Sequence, residues 1–449
     1  MSRLWPCLLL LAGCTQAESL SFRIVAGLDD DPFATGSSLV ISLVGATQPD
    51  ERVFPITAPT FEVPALRFGE DLQFRVEART GEIVFARGAS FPFDYLEGSP
   101  PDRSPHVLLG TLGRMSRTTT QQPDGAAIVI AAADDGARFV TERGTIYAYR
   151  AHNPDGNASL EVIGRAPPHR VSGAWAPVGR LGFVAVGGRS PGASFVDATT
   201  GDTLELSSGL EAHQTGATAI GFERGALAVG GLVDRLGRAE VTWIERTAGE
   251  LHATPLPPLG EGVYGARGVA LLTRSESGDL APRALVLGGS NAPIAWVVDP
   301  AGAAPVRSEL GLADVSAAGM AAIGPQLVLI SGGMVGSSPS DRMDLLIVDE
   351  RGAADQLHPR ALAAPRADPA VIAAGDGRAL VVGGRGRFGL AHDTAELFEV
   401  RLDDLPGDVV PTGRAPSSVA QPRGVMLDDG TVLVVDASVA AAYFLPRGS

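Results

Sequence analysis

Residues 378–386 read RALVVGGRG, and residues 283–291 read RALVLGGSN, nearly the same phrase 95 positions earlier. A Gly-Gly at the end of an apolar run can bind or build. A phosphate cradle needs a helix beginning right after the glycines, with its free N–H groups facing the anion. Here a loop and another apolar run follow instead. Two adjacent residues without a Cβ let the end of a strand approach its neighbours closely, which is a building role. Read outward, the stretch becomes AVIAAGDG / RALVVGG / AELFEVRL over 370–402. It consists of an apolar run, a tight turn, a second run ending in Gly-Gly, a loop and a third run.

The same phrase recurs as SGAWAPVGR / LGFVAVGG / ASFVDATTG, ATAIGFERG / ALAVGG / EVTWIER and MAAIG / QLVLISGG / MDLLIVDE. VALLTRSESGDLAP / RALVLGG / IAWVVDPAG has a longer first turn. AIVIAAADDG / ARFVTERG / TIYAYRA and GVMLDDG / TVLVVDA / AAAYFLP keep the pattern without Gly-Gly. Asp-Gly at 135–136, 376–377 and 429–430 supplies the positive φ that a short hairpin turn requires. The pairs Gly187-Gly188, Gly230-Gly231, Gly288-Gly289, Gly332-Gly333 and Gly383-Gly384 are spaced by 43, 58, 44 and 51 residues. A period of that size built of short strands points to a β-propeller, with one four-stranded sheet per blade. Seven phrases over the 344 residues from 106 onward give about 49 per blade. A six-bladed ring remains the alternative. SLEVIGRAP, DTLELSS, AAPVRSEL and DVVPTGRAP supply fourth strands. The last phrase has none of its own, so HVLLGTLGRMS (106–116) is expected to close the last blade and remove an open edge.

The repeat resembles the kelch family, the propeller type of the galactose-oxidase central domain. Trp243, Trp296, Phe398 and Phe444 hold the aromatic position of the third strand, although no copy carries both the kelch Tyr and the later Trp. Ahead of the ring, LSFRIVAG, SSLVISLVG, FEVPALRF, DLQFRVEA and GEIVFARG alternate as in a small Ig-like or prealbumin-like β-sandwich over 19–96. The Pro-rich segment 97–105 reads as a linker. The fold class is therefore all-β, a seven-bladed kelch-like propeller behind a small sandwich.

The N-terminus, MSRLWPCLLLLAGCTQ, carries Arg3 and a short apolar run, Leu4 to Leu11, too short to span a bilayer. Leu11-Ala12-Gly13-Cys14 resembles the bacterial lipobox. The resemblance implies removal of residues 1–13 and acyl chains, palmitate among them, on Cys14, with 14–18 as a tether. Two or more chains on one residue anchor stably. Thr15 after the cysteine implies sorting to the outer membrane of a Gram-negative envelope. Cys7 and Cys14 are the only cysteines, so no disulfide would remain after processing.

All 36 basic residues are Arg, against 51 carboxylates, for a net charge of −15 and a pI near 4.9. That balance excludes nucleic acid as a partner, which needs a clustered basic face. No H-E-x-x-H, G-x-S-x-G or P-loop occurs, and the seven histidines are scattered, so no metal or cofactor is expected. Some kelch-type propellers are copper radical oxidases that cross-link a Cys to a Tyr; here no cysteine falls within the ring. Asp29-Asp30-Asp31 reads as a solvated turn rather than a cation cage. Asn157-Ala158-Ser159 is a chance glycosylation sequon.

The loops after Gly-Gly all leave a propeller on one face. Arg189, Arg235, Arg238, Arg342, Arg385, Arg387 and His392 would ring that face as a site for an anionic group or acidic partner. Alternatively each arginine pairs with an aspartate of its own loop, Asp234, Asp341 or Asp393. The expectation is a monomeric, non-enzymatic envelope lipoprotein that acts as a binding or scaffold module for a protein or glycan through the propeller loops. A carbohydrate-active enzyme of mutarotase or lyase type is the alternative.

Overall fold

The computed structural model describes residues 22–45, 51–56, 69–96, 105–151, 158–207, 209–274, 278–288, 294–312, 316–359, 361–401 and 404–445. Cys7, Cys14, Gly289, Asn157 and most of the linker lie outside the described residues.

Seven four-stranded antiparallel sheets form the ring. Their inner strands are Ala127–Ala133, Ala174–Val178, Thr218–Gly221, Arg267–Arg274, Ala318–Gly324, Ala370–Ala373 and Arg423–Met426, for blades 1 to 7. Each inner strand packs on the next, and that of blade 7 returns to blade 1. Burial explains the recurring phrase. The second strand of each blade is enclosed by both neighbouring blades, so Gly182–Val186, Gly225–Val229 and Thr431–Asp436 are buried throughout. Outer strands such as Thr203–Leu206 alternate between exposed and half-buried. Seven apolar clusters are each shared by two adjacent blades. Val129, Val140 and Ile146 of blade 1 meet Phe183 and Val196 of blade 2, and Leu433 and Val435 of blade 7 meet Phe139 and Tyr149 of blade 1. Each such Val, Leu or Phe contributes about 2 kcal/mol by leaving water.

The N-terminal domain is a seven-stranded sheet bent into a half-barrel around Leu39, Ile41, Leu72, Phe74, Val76 and Leu109. SLEVIGRAP, DTLELSS, AAPVRSEL and DVVPTGRAP lie in the outer strands Ser159–Arg165, Thr203–Leu206, Val306–Glu309 and Asp404–Val419.

The segment 106–116 departs from its expected role as one closing strand. His106–Thr111 belongs to the N-terminal sheet, parallel to Arg23–Ala26 and antiparallel to Ile83–Ala89. Only Met115–Arg117 enters blade 7, antiparallel to Val439–Phe444, with Ser116 opposite Ala442. The physical reason lies in HVLLG: all five of its residues are buried, and the run needs a partner strand on each side, which the edge of a blade does not offer. The boundary between the two domains therefore falls in the turn after Thr111, not at 105.

The aspartate run fastens this junction. Asp29 pairs with Arg117 at 3.2 Å. Asp30 accepts from the Thr111 amide at 2.7 Å and its hydroxyl at 2.8 Å. Asp31 accepts from the Phe33 and Ala34 amides at the start of the helical turn Pro32–Thr35.

Candidate functional site

In an antiparallel blade, the loop joining strands two and three opens on the same side as the link to the next blade. The four described Gly-Gly loops, which begin at 187, 230, 332 and 383 after the second strands of their blades, therefore share one face of the ring. The first glycine of each of the five pairs has a left-handed φ, from 63° to 72°, and so turns the chain out of its strand. Its amide donates within its own blade: Gly187 to Gly192, Gly230 to Glu240, Gly332 to Arg342. The second amide reaches across to the link entering the next blade. Gly188 donates to Gln214, Gly231 to Val263, Gly333 to Arg366 and Gly384 to Val419, at 2.8–3.0 Å. These N–H groups are spent on backbone, so they form no anion cradle. They staple blades together and fix the bases of the loops.

A buried ionisable side chain supports three of these loops from beneath, always 17 residues before the first glycine. Arg170 donates to the Gly187 carbonyl at 2.9 Å, to Ser190 and Pro191 carbonyls, to Ser194 Oγ and to Glu205 at 3.2 Å. Arg366 donates to the Gly383 and Thr394 carbonyls at 3.1 Å and to Glu396 at 2.7 Å. His213 bonds the Gly230 carbonyl through Nδ1 at 2.6 Å and Thr242 Oγ1 through Nε2. Burial pushes the His213 pKa below its ordinary value, against the pull of the Gly230 carbonyl and Glu240. The neutral ring then donates from Nδ1 and accepts at Nε2. Sequence reading passed over these three residues; their common offset from Gly-Gly was the available signal.

The seven loop residues divide into two groups. Arg238 pairs with Glu240, Arg342 with Asp344 at 2.9 Å and with the Gly311 carbonyl at 3.0 Å, and His392 Nε2 lies 3.2 Å from the Pro365 carbonyl. These three hold their loops in place. The acidic partners of Arg238 and Arg342 stand two residues on, rather than at Asp234 or Asp341. Asp393 pairs with Arg414. Arg189, Arg235, Arg385 and Arg387 are exposed, and among the described residues their guanidinium groups make no ion pair. Apolar tips stand beside them: Leu236 is 67% exposed, Phe388 97% and Leu390 70%. The result is two separate patches of cations and apolar side chains on stapled bases, Arg235 with Leu236 on blade 3 and Arg385 and Arg387 with Phe388 and Leu390 on blade 6, together the crown. Arg189 instead faces a cleft between blades 1 and 2.

A second concavity, of about 870 Å³, lies between the N-terminal domain and blade 7. Arg75, Glu77, Arg87, Arg378, Asp428 and Asp429 line it. Burial pushes the Asp429 carboxyl up to about 6, while its hydrogen bonds from Thr431 pull the other way.

No protein-family model matches the chain, and a search of curated proteins returned no match. Among solved structures, a fungal alcohol oxidase described as catalytically diverse within the AA5 family, in complex with copper, aligns with a TM-score of 0.54 at 16% identity. The alignment covers 75% of this chain and 76% of that one. The likeness is one of fold, and a fold alone selects no activity. Among the described residues no three of His, Cys, Asp and Glu converge as metal ligands, and both cysteines precede the ring.

Proposed function

We propose that the protein is a non-catalytic binding module, carried on the outer membrane of a Gram-negative envelope by acyl chains on Cys14. It engages an acidic protein partner through the Gly-Gly face. The observation that carries this reading is the crown. Arg235, Arg385 and Arg387 stand unpaired beside Leu236, Phe388 and Leu390, on loops whose bases are fixed by repeated backbone bonds. Exposed apolar anchors ringed by cations are what an acidic, partly apolar partner surface complements. Preorganised bases reduce the ordering that binding must supply. No helix among the described residues is long and apolar enough to cross a membrane. Attachment in this reading therefore rests on Cys14, and a Cys14→Ser protein that still sediments with membranes refutes it.

The test of the crown compares the wild-type chain with an Arg235→Glu/Arg387→Glu/Phe388→Ser variant in affinity purification from solubilised envelopes. A stoichiometric partner retained by the first and lost by the second supports the reading. Equal retention by both refutes it.

The alternative, a carbohydrate-active enzyme, draws on the cleft beside blade 7. A carboxyl held near 6 in the lining of a cleft is the kind of group that general acid catalysis uses. Loss of glycan turnover in Asp429→Asn, with the fold retained, favours the enzyme.

A further inference from the structure

The remaining unpaired arginine, Arg189, is one of three that meet away from the crown. A cleft of about 630 Å³ lies between the outer parts of blades 1 and 2. That is within the range of small-ligand sites, roughly 300–1,000 Å³. Arg143 enters it from the loop after Gly136–Thr141 of blade 1, Arg165 from the end of that blade's outer strand, and Arg189 from the Gly-Gly loop of blade 2. All three are exposed, and among the described residues none has an ion pair or a side-chain hydrogen bond. In a chain of net charge −15, where many arginines are matched to a carboxylate, three unmatched guanidinium groups around one concavity form a local cationic site.

The acidic groups nearby do not cancel it. Glu205 is the one carboxylate in the lining, and it is already engaged by buried Arg170 at 3.2 Å and by Ser194 at 2.7 Å. His169 stands 3.6 Å from the same carboxylate. Glu142, next to Arg143, is turned toward the Ala126 amide. The rest of the lining is small and of mixed character: Pro167, Pro168 and Val171 make an apolar wall, and Thr203 adds a hydroxyl.

We propose that this cleft binds an acidic saccharide, through carboxylate or sulfate groups held by Arg143, Arg165 and Arg189. The C–H face of a sugar ring rests on Pro167 and Pro168, and ring hydroxyls donate to the second lone pairs of Glu205. Guanidinium forks suit planar or tetrahedral oxyanions, which sets the acidic requirement. The combination of hydroxyl acceptor and apolar wall selects a saccharide over a bare anion. The site is independent of the crown and survives its failure.

Calorimetric titration of the full chain tests the proposal with five probes: trigalacturonate, a sulfated heparin tetrasaccharide, neutral maltotriose, tetraglutamate and sodium sulfate. One of the two acidic saccharides is expected to saturate, and which one does so tells carboxylate from sulfate recognition. Maltotriose, tetraglutamate and sulfate should each bind at least about tenfold more weakly. Arg165→Ala and Arg189→Ala should each cost about tenfold, the scale of one charge-assisted contact. Arg351→Ala, an exposed arginine of blade 5, and the crown variant Phe388→Ser should leave affinity unchanged. Because the three arginines are exposed, thermal melting of their variants should match the wild type. Equal binding of maltotriose, tighter binding of tetraglutamate or sulfate, undiminished binding by both arginine variants, or no saturation by either acidic saccharide up to about 1 mM each overturns the proposal.

Discussion

Replacing Arg366 with Met should be among the most damaging single changes in the ring, and the structure sets its scale. The side chain is fully buried, and its partner Glu396 is 3% exposed. Glu396 also accepts the Ala363 amide at 2.9 Å, so its carboxylate ties together two segments of the chain. Removing the guanidinium leaves that charge buried without its counter-ion. It also strips the Gly383 and Thr394 carbonyls of a donor. Breaking a buried pair in this way costs about 3–5 kcal/mol. Arg170 offers an internal control with nearly the same hydrogen bonds, because its carboxylate, Glu205, is 38% exposed and stays hydrated. Arg170→Met should therefore cost less, about 1–3 kcal/mol. The double variant Arg366→Met/Glu396→Leu removes both charges and should recover most of the loss. Guanidinium chloride denaturation followed by far-ultraviolet circular dichroism measures all three. If Arg366→Met alone does not accumulate in soluble form, recovery in the double variant carries the test. Equal costs at Arg366 and Arg170, or a double variant no better than the single, would refute the argument from burial.

Asp429 gives a pH signature. Its folded pKa of about 6 lies above the unfolded value near 3.8, so the folded state binds the proton more tightly and stability falls as pH rises from about 4 to 6. Asp429→Asn should flatten that slope and raise stability at pH 7 by up to about 3 kcal/mol; an unchanged pH–stability profile counts against it. Gly187→Ala places a Cβ 2.3 Å from the His213 carbonyl at a φ of 69°, whereas Gly249, at 86°, has nothing within 4 Å. The first should lower the melting midpoint clearly more than the second, which bears only left-handed strain of about 1 kcal/mol. Ser116→Pro removes an N–H from the three-residue closing strand. It should raise amide exchange across Val439–Phe444 while leaving Ala127–Ala133 protected, and equal exchange in both proteins would show the strand to be dispensable.

The ring was legible because its signal is repeated. A second strand enclosed by two blades must be apolar where it is covered, so each copy restates an apolar run, and in five of the seven a left-handed exit adds the glycines. The outer strands were found for the same reason. Residues 106–116 read as a unit because an apolar run looks alike in either sheet; only the need of HVLLG for two flanking strands separates them. The arginines of the Gly-Gly loops show a different limit. Topology places their Cα atoms on one face, but pairing is decided by side-chain direction. Arg238 and Arg342 are consumed by acids two positions on, while Arg189 points to a cleft whose other arginines, 143 and 165, stand outside any Gly-Gly loop. Nothing in the spacing of the repeats joins those three, because they come from different parts of two blades.

The division of 106–116 also changes what the N-terminal domain does. The closing strand is three residues long and is extended by backbone bonds that Gly113, Arg114 and Thr118 make with Phe444 and Ala440. The N-terminal domain adds side-chain packing. Val25 and Leu108 pack on Ala442 and Phe444, and Gly110 lies so close to the Phe444 ring that a Cβ there would fall 2.1 Å from it. Asp29 and Asp30 grip Arg117 and Thr111 on either side of the turn that leads into blade 7. The domain therefore clamps the seam of the ring. A closure made this way couples the two folds: loosening the N-terminal sheet at Asp30 should loosen the Val439–Phe444 strand, which packs through Val439, Ala441 and Tyr443 on Leu380 and Val382 of blade 6.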